Sequence, residues 1–531
     1  MKKLFTVFFF IFFFSLSGSA QPLYLNWTKF IGGTSGDGGY VAISTSDGGI
    51  LFGGLTSDTI GSGDIPASSP DSQSILANNL LLGKIDSNRQ LSWIKVYGGH
   101  RTDRALQLMQ LPDGGFAVLG ETESHDGDIA FNHGSKDLWL LRLDSSGNLL
   151  WEKTYGSSSG DHALSFAQTS SSGYIILGSS NGSDNDVPFH YGTNQFLMDW
   201  FVVKTDSLGN LLWSKTIGGT GDEWSINGSI YEINNAYYLI GCSSSKDYDC
   251  TDTSWHPGVN TGMDVFVLKM DTTGNQIWNK SFGGSEQESH AISIFDQRDS
   301  AFAIVMGSQS NDYMLQNTYT APANWLLKID TNGNLLSAKV AGDSLLYTSP
   351  LDIICYEDSA YLLSTWTQAD YWLSIIDSTG NFSYYKRIGG TNNELFSCNL
   401  VEYKQGIALV GTTVSSDLNE GGRINDHRGS SDVFVSGISE IYSPLITKKI
   451  RKASTEIILY PNPTKDILRV ILPTNEGGIV YVTDQSGKVV YEHETNAIEI
   501  EIATAAWTRG NYIVNWKGKR GAHSTAKVLV N

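Results

Sequence analysis

Basic charge, cysteine and long apolar runs are all scarce in this sequence. Its 55 Asp and Glu outnumber 36 Lys and Arg, a formal charge of −19. Without Lys2 and Lys3 the balance is −21. Residues from Ser454 onward cancel, and Lys448-Lys449-Ile450-Arg451-Lys452 contributes +4, so the region before that stretch carries −25. Such a surface repels phosphate backbones and anionic lipid, so nucleic acid is not expected as a partner. Four cysteines are too few for a disulfide scaffold. Cys242 and Cys250 lie close enough in sequence to bridge a loop, Cys355 and Cys398 are far apart, and a chain of this length can equally keep buried thiols. The longest apolar stretch, the Phe-rich run from Leu4 to Leu16, is too short to cross a bilayer, and no transmembrane span is expected. With Lys2 and Lys3 before it and Gly18-Ser19-Ala20 after it, that run reads as a signal peptide over residues 1–20, with Gln21 as the mature start. No Cys follows it, so a lipid-anchored N-terminus is not expected. Ser-His-Asp, Cys-His and HExxH sets are missing too, which argues against an enzyme.

What the sequence does have is repetition. One segment type follows a turn signal: "DGGILFGG", "DGGFAVLG", "SSGYIILG", "NNAYYLIG" and three relatives. A second reads "KDLWLLRLD", "MDWFVVKTD", "MDVFVLKMD" and the like. A third is the "LDSSGNLLWEKTYG" type, with Trp27, Trp93, Trp151, Trp213 and Trp278 in corresponding places and Ser337 and Tyr384 as degenerate members. Aromatic and β-branched runs bounded by Gly, Asp and Asn are strand signals. Four short strands per unit of roughly 60 residues describe a propeller blade. The last "SDVFVSGIS" lacks a following Trp strand, and the first Trp strand, "LNWTKFIGG", lacks a strand before it. Pairing the two completes a blade and removes the open edge. The expected fold is all-β: a seven-bladed β-propeller over residues 21–440, closed by its terminal strands, then a basic linker at 441–453 and a small β-sandwich at 454–531. The blade pattern resembles the quinoprotein-type repeat, where an Asp-x-x-x-Gly turn leads into a Trp on the outermost strand. That resemblance implies the strand order and not the chemistry, since no adjacent Cys-Cys pair of the kind that packs on the quinone is present.

The Trp and the Lys two positions later share one strand face. Trp should fill the gap to the neighbouring blade while Lys lays its stem over apolar surface. The preceding Asp and Gly suit a type I turn. All of this is architecture.

Short hairpins occupy one face, leaving the long variable connections on the other, where binding usually resides. Two features of that face are candidates. An acid falls four positions after the second residue of each Gly-Gly step: Asp37, Asp103, Asp161, Glu223, Glu288 and Glu394, with Leu346 breaking the series. Either each locks its own blade through backbone N–H groups, or together they ring the channel mouth as a cation site, for which hard oxygen ligands suit Ca²⁺. The long loops also pair acids with a His: Asp126, Asp128 and His133; Asp184, Asp186 and His190; Asp249, Asp252 and His256; Asp426 and His427. One His per loop is poor zinc geometry; a His bonded to loop backbone or to a polar ligand is the economical expectation. Phe131, Phe189, Tyr191 and Trp255 in the same loops suit sugar stacking or loop packing.

From Ser454 the texture changes to six or seven short strands. Tyr460-Pro461-Asn462-Pro463 with Asp466, then Asp484, Gly487-Lys488-Val489-Val490, Gly510-Asn511-Tyr512 and Lys527-Val528-Leu529-Val530 closely resemble the type A C-terminal sorting domain of the type IX secretion system. Trp507-Thr508 departs from the usual Leu-small step, without an expected consequence. The resemblance implies docking with the outer-membrane translocon, delivery to the cell surface or beyond, and frequent cleavage, for which the basic linker is the expected place. The resulting expectation is a secreted, non-catalytic propeller that binds polysaccharide or protein and carries no cofactor. A glycan-active hydrolase or lyase, a degenerate quinoprotein-like enzyme, and a structural adhesion component are the alternatives.

Overall fold

The computed structural model describes residues 25–438 and 458–530, apart from short loop segments within each range. The chain divides into two compact units at Ile441/Tyr442. Residues 1–20, Leu346, Trp255, His256, Asp426, His427 and the basic linker lie outside the described residues.

Among the described residues, unit 1 contains seven four-stranded antiparallel sheets, and its fold is a β-propeller. Blade 1 is formed by Asp37–Ser44, Ile50–Thr56, Asn79–Ile85 and Leu91–Tyr97, in that order from the inside. Blades 2 to 6 repeat this arrangement. Blade 7 differs: its three strands Leu395–Tyr403, Gly406–Thr413 and Asp432–Ile438 are completed by Leu25–Ile31 from the other end of the chain. The pairing runs antiparallel from Leu25↔Ile438 to Ile31↔Val433. Gly39 of blade 1 donates its backbone N–H to Thr412 Oγ1 of blade 7 at 3.0 Å, so the ring also closes on its inside. A closed ring leaves no sheet face open, which is why second and third strands such as Phe116–Thr122 and Asp199–Thr205 are buried along their whole length.

In blades 2 to 6 the third strand returns to the outer strand through the Asp-x-x-Gly turn. At blade 2, Gly147 donates to the Asp144 carbonyl at 3.1 Å and Asp144 to the Asn148 carbonyl at 2.9 Å. The Asp144 carboxylate accepts the N–H groups of Ser146 and Asn148, each at 2.8 Å. Gly147 has φ +77°, closing a type I turn with a bulge that only Gly adopts without strain. The same bonds recur at Asp206, Asp271 and Asp330.

Trp joins blades through these turns. The rings of Trp93, Trp151, Trp213 and Trp278 lie against Gly147, Gly209, Gly274 and Gly333, in each case the turn glycine of the following blade. The stems of Lys153, Lys215 and Lys280 lie against the same glycines. Tyr97 and Tyr155 donate their hydroxyls to the carbonyls of Gly147 and Gly209. Trp27 meets a variant of this joint. In blade 1 the turn position holds Arg89, at φ 67°, and its guanidinium carbon lies 5.3 Å from the Trp27 ring centroid. The indole N–H of Trp27 donates to Tyr403 Oη at 3.1 Å.

Unit 2 has seven strands in two sheets. Ile458–Tyr460, Ile467–Ile471 and Glu499–Ala503 form one, and Gly478–Thr483, Val489–Thr495, Gly510–Gly518 and His523–Val530 the other. Both contribute to one core that includes Leu468, Val470, Val480, Val514, Trp516 and Val528. Asp484 and Gly487, at φ 83°, build the same turn as the blades, with Asp484 accepting the N–H groups of Ser486 and Lys488 at 2.8 and 3.1 Å. Tyr512 is buried and donates its hydroxyl to the Thr508 carbonyl at 2.7 Å, with Trp507 packed on its ring at 4.9 Å. The Trp507-Thr508 departure thus anchors the Tyr. Lys488 and Lys527 are exposed and Gly510 opens its strand. Pro461, Asn462, Pro463 and Asp466 lie outside the described residues, and Tyr460 is described only as strand.

All four cysteines are free. Cys242, Cys250 and Cys398 are buried and Cys355 is partly so; the Cys242–Cys250 bridge does not form, because the two thiols lie in different core clusters, Cys250 beside Ser243 and Glu223.

Candidate functional site

The six repeated acids do not ring the channel mouth. Asp37, Asp103, Asp161, Glu223, Glu288 and Glu394 are buried, each inside its own blade junction. The four-residue offset has a local cause: each carboxylate accepts the N–H of the second residue of the step, from Gly33 at 2.7 Å, Gly99 at 2.9 Å, Ser157 at 2.6 Å, Gly219 at 3.0 Å, Gly284 at 3.2 Å and Gly390 at 3.0 Å. A hydroxyl ending the second strand supplies a further donor at several of these sites, such as Ser243 to Glu223 and Ser308 to Glu288, both at 2.7 Å. Each carboxylate is thereby committed to its own turn, although Asp37 Oδ1 and Glu394 Oε2 are buried without a hydrogen-bond partner. Among the described residues, no group of three or more His, Cys, Asp or Glu could hold a metal ion.

Each acid also faces the residue that opens the third strand of the preceding blade. Asp432 and Asp37 flank Gly32, Asp137 and Asp161 flank Gly156, Asp199 and Glu223 flank Gly218, and Asp264 and Glu288 flank Gly283. At the junction of blades 1 and 2 the partner is an amide, Asn79 beside Asp103. Burial pushes Asp37, Asp103 and Asp161 up to about 6. Desolvation together with the neighbouring carboxyl raises the Asp199–Glu223 and Asp264–Glu288 pairs as well.

The acids of the long loops form a second structural device. In Asp126-Gly127-Asp128, Asp184-Asn185-Asp186 and Asp247-Tyr248-Asp249 the middle residue has positive φ. The first Asp accepts a backbone N–H from His100, Ser158 or Thr220 at 2.7–2.9 Å. The second accepts one from Gly98, Gly156 or Gly218 at 3.0–3.4 Å. The loop is thus clamped to the strand that enters its blade. Both candidate loop histidines among the described residues pair with carboxylates, and His190 also reaches loop backbone, its Nε2 3.4 Å from the Asn194 carbonyl oxygen. His133 Nδ1 lies 2.6 Å from Asp137 Oδ2, and its Nε2 lies 3.3 Å from Asp186 Oδ2 of the next blade. His190 Nδ1 lies 2.6 Å from Asp199 Oδ2. In the fourth loop Asp252 accepts the Ser281 N–H at 2.7 Å.

Two of the loop aromatics, Phe131 and Phe189, face outward. Phe131 is 61% exposed and Phe189 42%, each set edge-on to the residue two positions later, His133 at 4.7 Å and Tyr191 at 4.8 Å. Each ring borders a cleft running along the outer strand of its blade to the turn of the next, about 330 Å³ at Phe131 and 360 Å³ at Phe189.

Two places break the sevenfold pattern, and sequence reading missed both. Glu121 is the penultimate residue of the second strand of blade 2, where other blades place Leu55, Ser179, Cys242, Gly307, Trp366 or Thr412. It accepts Arg104 Nε and Nη2 at 3.1 and 2.8 Å, with Lys136 at 3.5 Å and His162 at 3.3 Å. Burial alone would raise its carboxyl, but the His162 bond and the Arg104 and Lys136 charges hold it at about 2. The signal was available as the one charged residue in a column of small or apolar ones. Asp352 lies in the wall of the central channel, a cavity of about 700 Å³ lined by the inner strands of all seven blades. Burial pushes it up to about 7, against N–H bonds from Leu400 and Ile353, both at 2.8 Å. Its bond to Leu400 spans two blades, as does that of Gln107, whose carbonyl accepts the Phe166 N–H at 2.6 Å.

Residues 458–531 match the secretion system C-terminal sorting domain family. The C-terminal unit is a type IX sorting domain. This sorting domain directs export through the type IX system to the cell surface or the extracellular space. The regulatory protein FlaEY of Caulobacter vibrioides is 24% identical over 219 residues, 40% of this chain but only 22% of that protein. Among solved structures, PorZ, a surface component of the type IX system of Porphyromonas gingivalis, has a TM-score of 0.40 at 11% identity over 93% of this chain and 59% of its own. The Dos1 propeller scores 0.40 at 10% identity, covering 78% of this chain and 95% of its own. Hydrazine synthase of Kuenenia stuttgartiensis scores 0.42 at 10% identity, covering 72% and 94%.

Proposed function

We propose that this protein is a surface-delivered, non-catalytic binding module whose propeller holds an extracellular polysaccharide or protein. One observation carries the reading. The acids of the connections hold backbone N–H groups and histidines, while the Phe131 and Phe189 rings beside them face solvent. Acids whose oxygens are committed to backbone N–H groups and histidines are directed away from a substrate, which suits neither general acid nor base work. A rigid ring left open to water costs free energy on its own and is useful against a ligand's apolar face. The propeller supplies the scaffold, and the sorting domain places it where such ligands occur. An array of extracellular polysaccharides and outer-surface proteins, probed with the chain from residue 21, tests this. Retention of at least one class supports the reading, and retention of none overturns it.

A further inference from the structure

The two clefts are copies of one construction. In the first, Phe131 stands edge-on to His133, and His133 is tied to Asp186 of the next blade at 3.3 Å. In the second, Phe189 stands edge-on to Tyr191, and Tyr191 donates its hydroxyl to Asp249 of the next blade at 2.7 Å. Both interplanar angles are 86°. The loop carbonyl at the aromatic residue is held identically, Thr154 Oγ1 to Phe131 O at 2.7 Å and Thr216 Oγ1 to Phe189 O at 2.6 Å. Lys153 and Lys215, the lysines that follow the joint Trp by two, line the clefts, and each floor is the next blade's Gly-Asn turn, Gly209-Asn210 or Gly274-Asn275. The Lys153 charge acts on the Glu152 and Asp206 carboxylates, and Lys215 donates to the Gly274 carbonyl. Corresponding positions in blades 1 and 4 hold Ala67 and Asp252, so among blades 1 to 4 the ring stands at two successive junctions.

We propose that these clefts are equivalent subsites for one neutral, repeating polysaccharide laid along the rim of blades 2 to 4. The inference rests on the binding reading above and specifies its ligand and its site. An exposed ring fixed at its edge by an interblade tie presents a preorganised face to the C–H side of a pyranose. Beside it, Lys ammonium and Asn and Thr groups offer the hydrogen-bond partners that sugar hydroxyls need. Two subsites one blade apart fit a polymer better than a single sugar, because the second contact forms at high effective concentration. The charge of −25 before the basic linker excludes polyanions, leaving neutral chains.

The test uses the full chain from residue 21 in affinity electrophoresis against laminarin, hydroxyethylcellulose and arabinoxylan, with alginate as the polyanion. Wild type is retarded by at least one neutral polymer and not by alginate. Phe131→Ala and Phe189→Ala each weaken retention by about 5- to 20-fold, and the double variant abolishes it. Phe131→Trp and Phe189→Trp retain it, and unchanged melting of all variants shows that the fold is intact. Retention by a neutral polymer that both Ala variants keep overturns the subsites while leaving a binding module standing. Retention by alginate alone overturns the neutral ligand. No retention by any polymer removes the subsites, and the binding reading then stands or falls on the surface-protein half of its own array.

Discussion

Replacing Asp161 by Asn should flatten the pH dependence of this protein's stability. The Asp161 carboxyl is fully buried at the junction of blades 2 and 3, and loss of hydration, with like charge from Asp137, raises it from 3.8 to about 6. A shift of about two units corresponds to roughly 3 kcal/mol. The sign follows from which state releases its proton first. Below pH 3.8 the group is protonated folded or unfolded and costs nothing. Above that the unfolded chain ionises readily and the folded one does not, so stability falls until the pH passes the folded value near 6. Of the total, about 2 kcal/mol is lost between pH 4.5 and 7.5. Asn cannot ionise, its carbonyl still accepts the Ser157 N–H, and its NH₂ can face Asp137 Oδ1, which is buried without a partner. The junction of blades 1 and 2 already has such an amide, Asn79 beside Asp103. Urea unfolding of wild type and Asp161→Asn at pH 4.5 and 7.5 measures the difference. Wild type should lose about 2 kcal/mol more than the variant over that interval. Parallel losses would refute the argument.

The joint glycines make a second prediction. Gly209→Ala should destabilise by about 2 kcal/mol or more, because φ is +77° and the new Cβ would lie 2.7 Å from the Trp151 ring. Arg89→Gly should change stability by less than about 1 kcal/mol, since relief of a strained φ offsets loss of the contact with Trp27; chemical denaturation compares the two. A chelator should leave the melting temperature unchanged, and a drop on chelation with recovery on added Ca²⁺ would restore a cation site. Deleting residues 454–531 should hold the protein in the periplasm, read by fractionation and surface labelling, whereas normal surface delivery of the truncation would contradict the role of the sorting domain.

The sequence carried the architecture because the joints are periodic and local. Asp144, Gly147 and Trp151 fall at fixed offsets since one turn and one ring contact recur at four successive junctions. The split blade was legible for the same reason, since Leu25–Ile31 and Asp432–Ile438 each lack what the other has. The repeated acids were legible as positions but not as roles. Their offset reports a bond within one turn, while burial beside the preceding blade's acid depends on a contact far away in the chain. Loop function was least legible. Asp186 appears in sequence as an acid near His190, yet in the fold it takes His133 from the preceding blade. Phe131 and Phe189 were visible as aromatics, but nothing local shows that both stand edge-on to a residue tied across a junction.

The proposed role predicts that this exported propeller holds its ligand without altering it. Incubating the surface-delivered protein with a fluorescently end-labelled neutral polysaccharide, then measuring both bound label and polymer length, addresses that claim in one experiment. Bound polymer of unchanged length is the predicted result. Shortened or unsaturated products that depend on the protein would contradict it, and would direct attention to Asp352 in the channel wall.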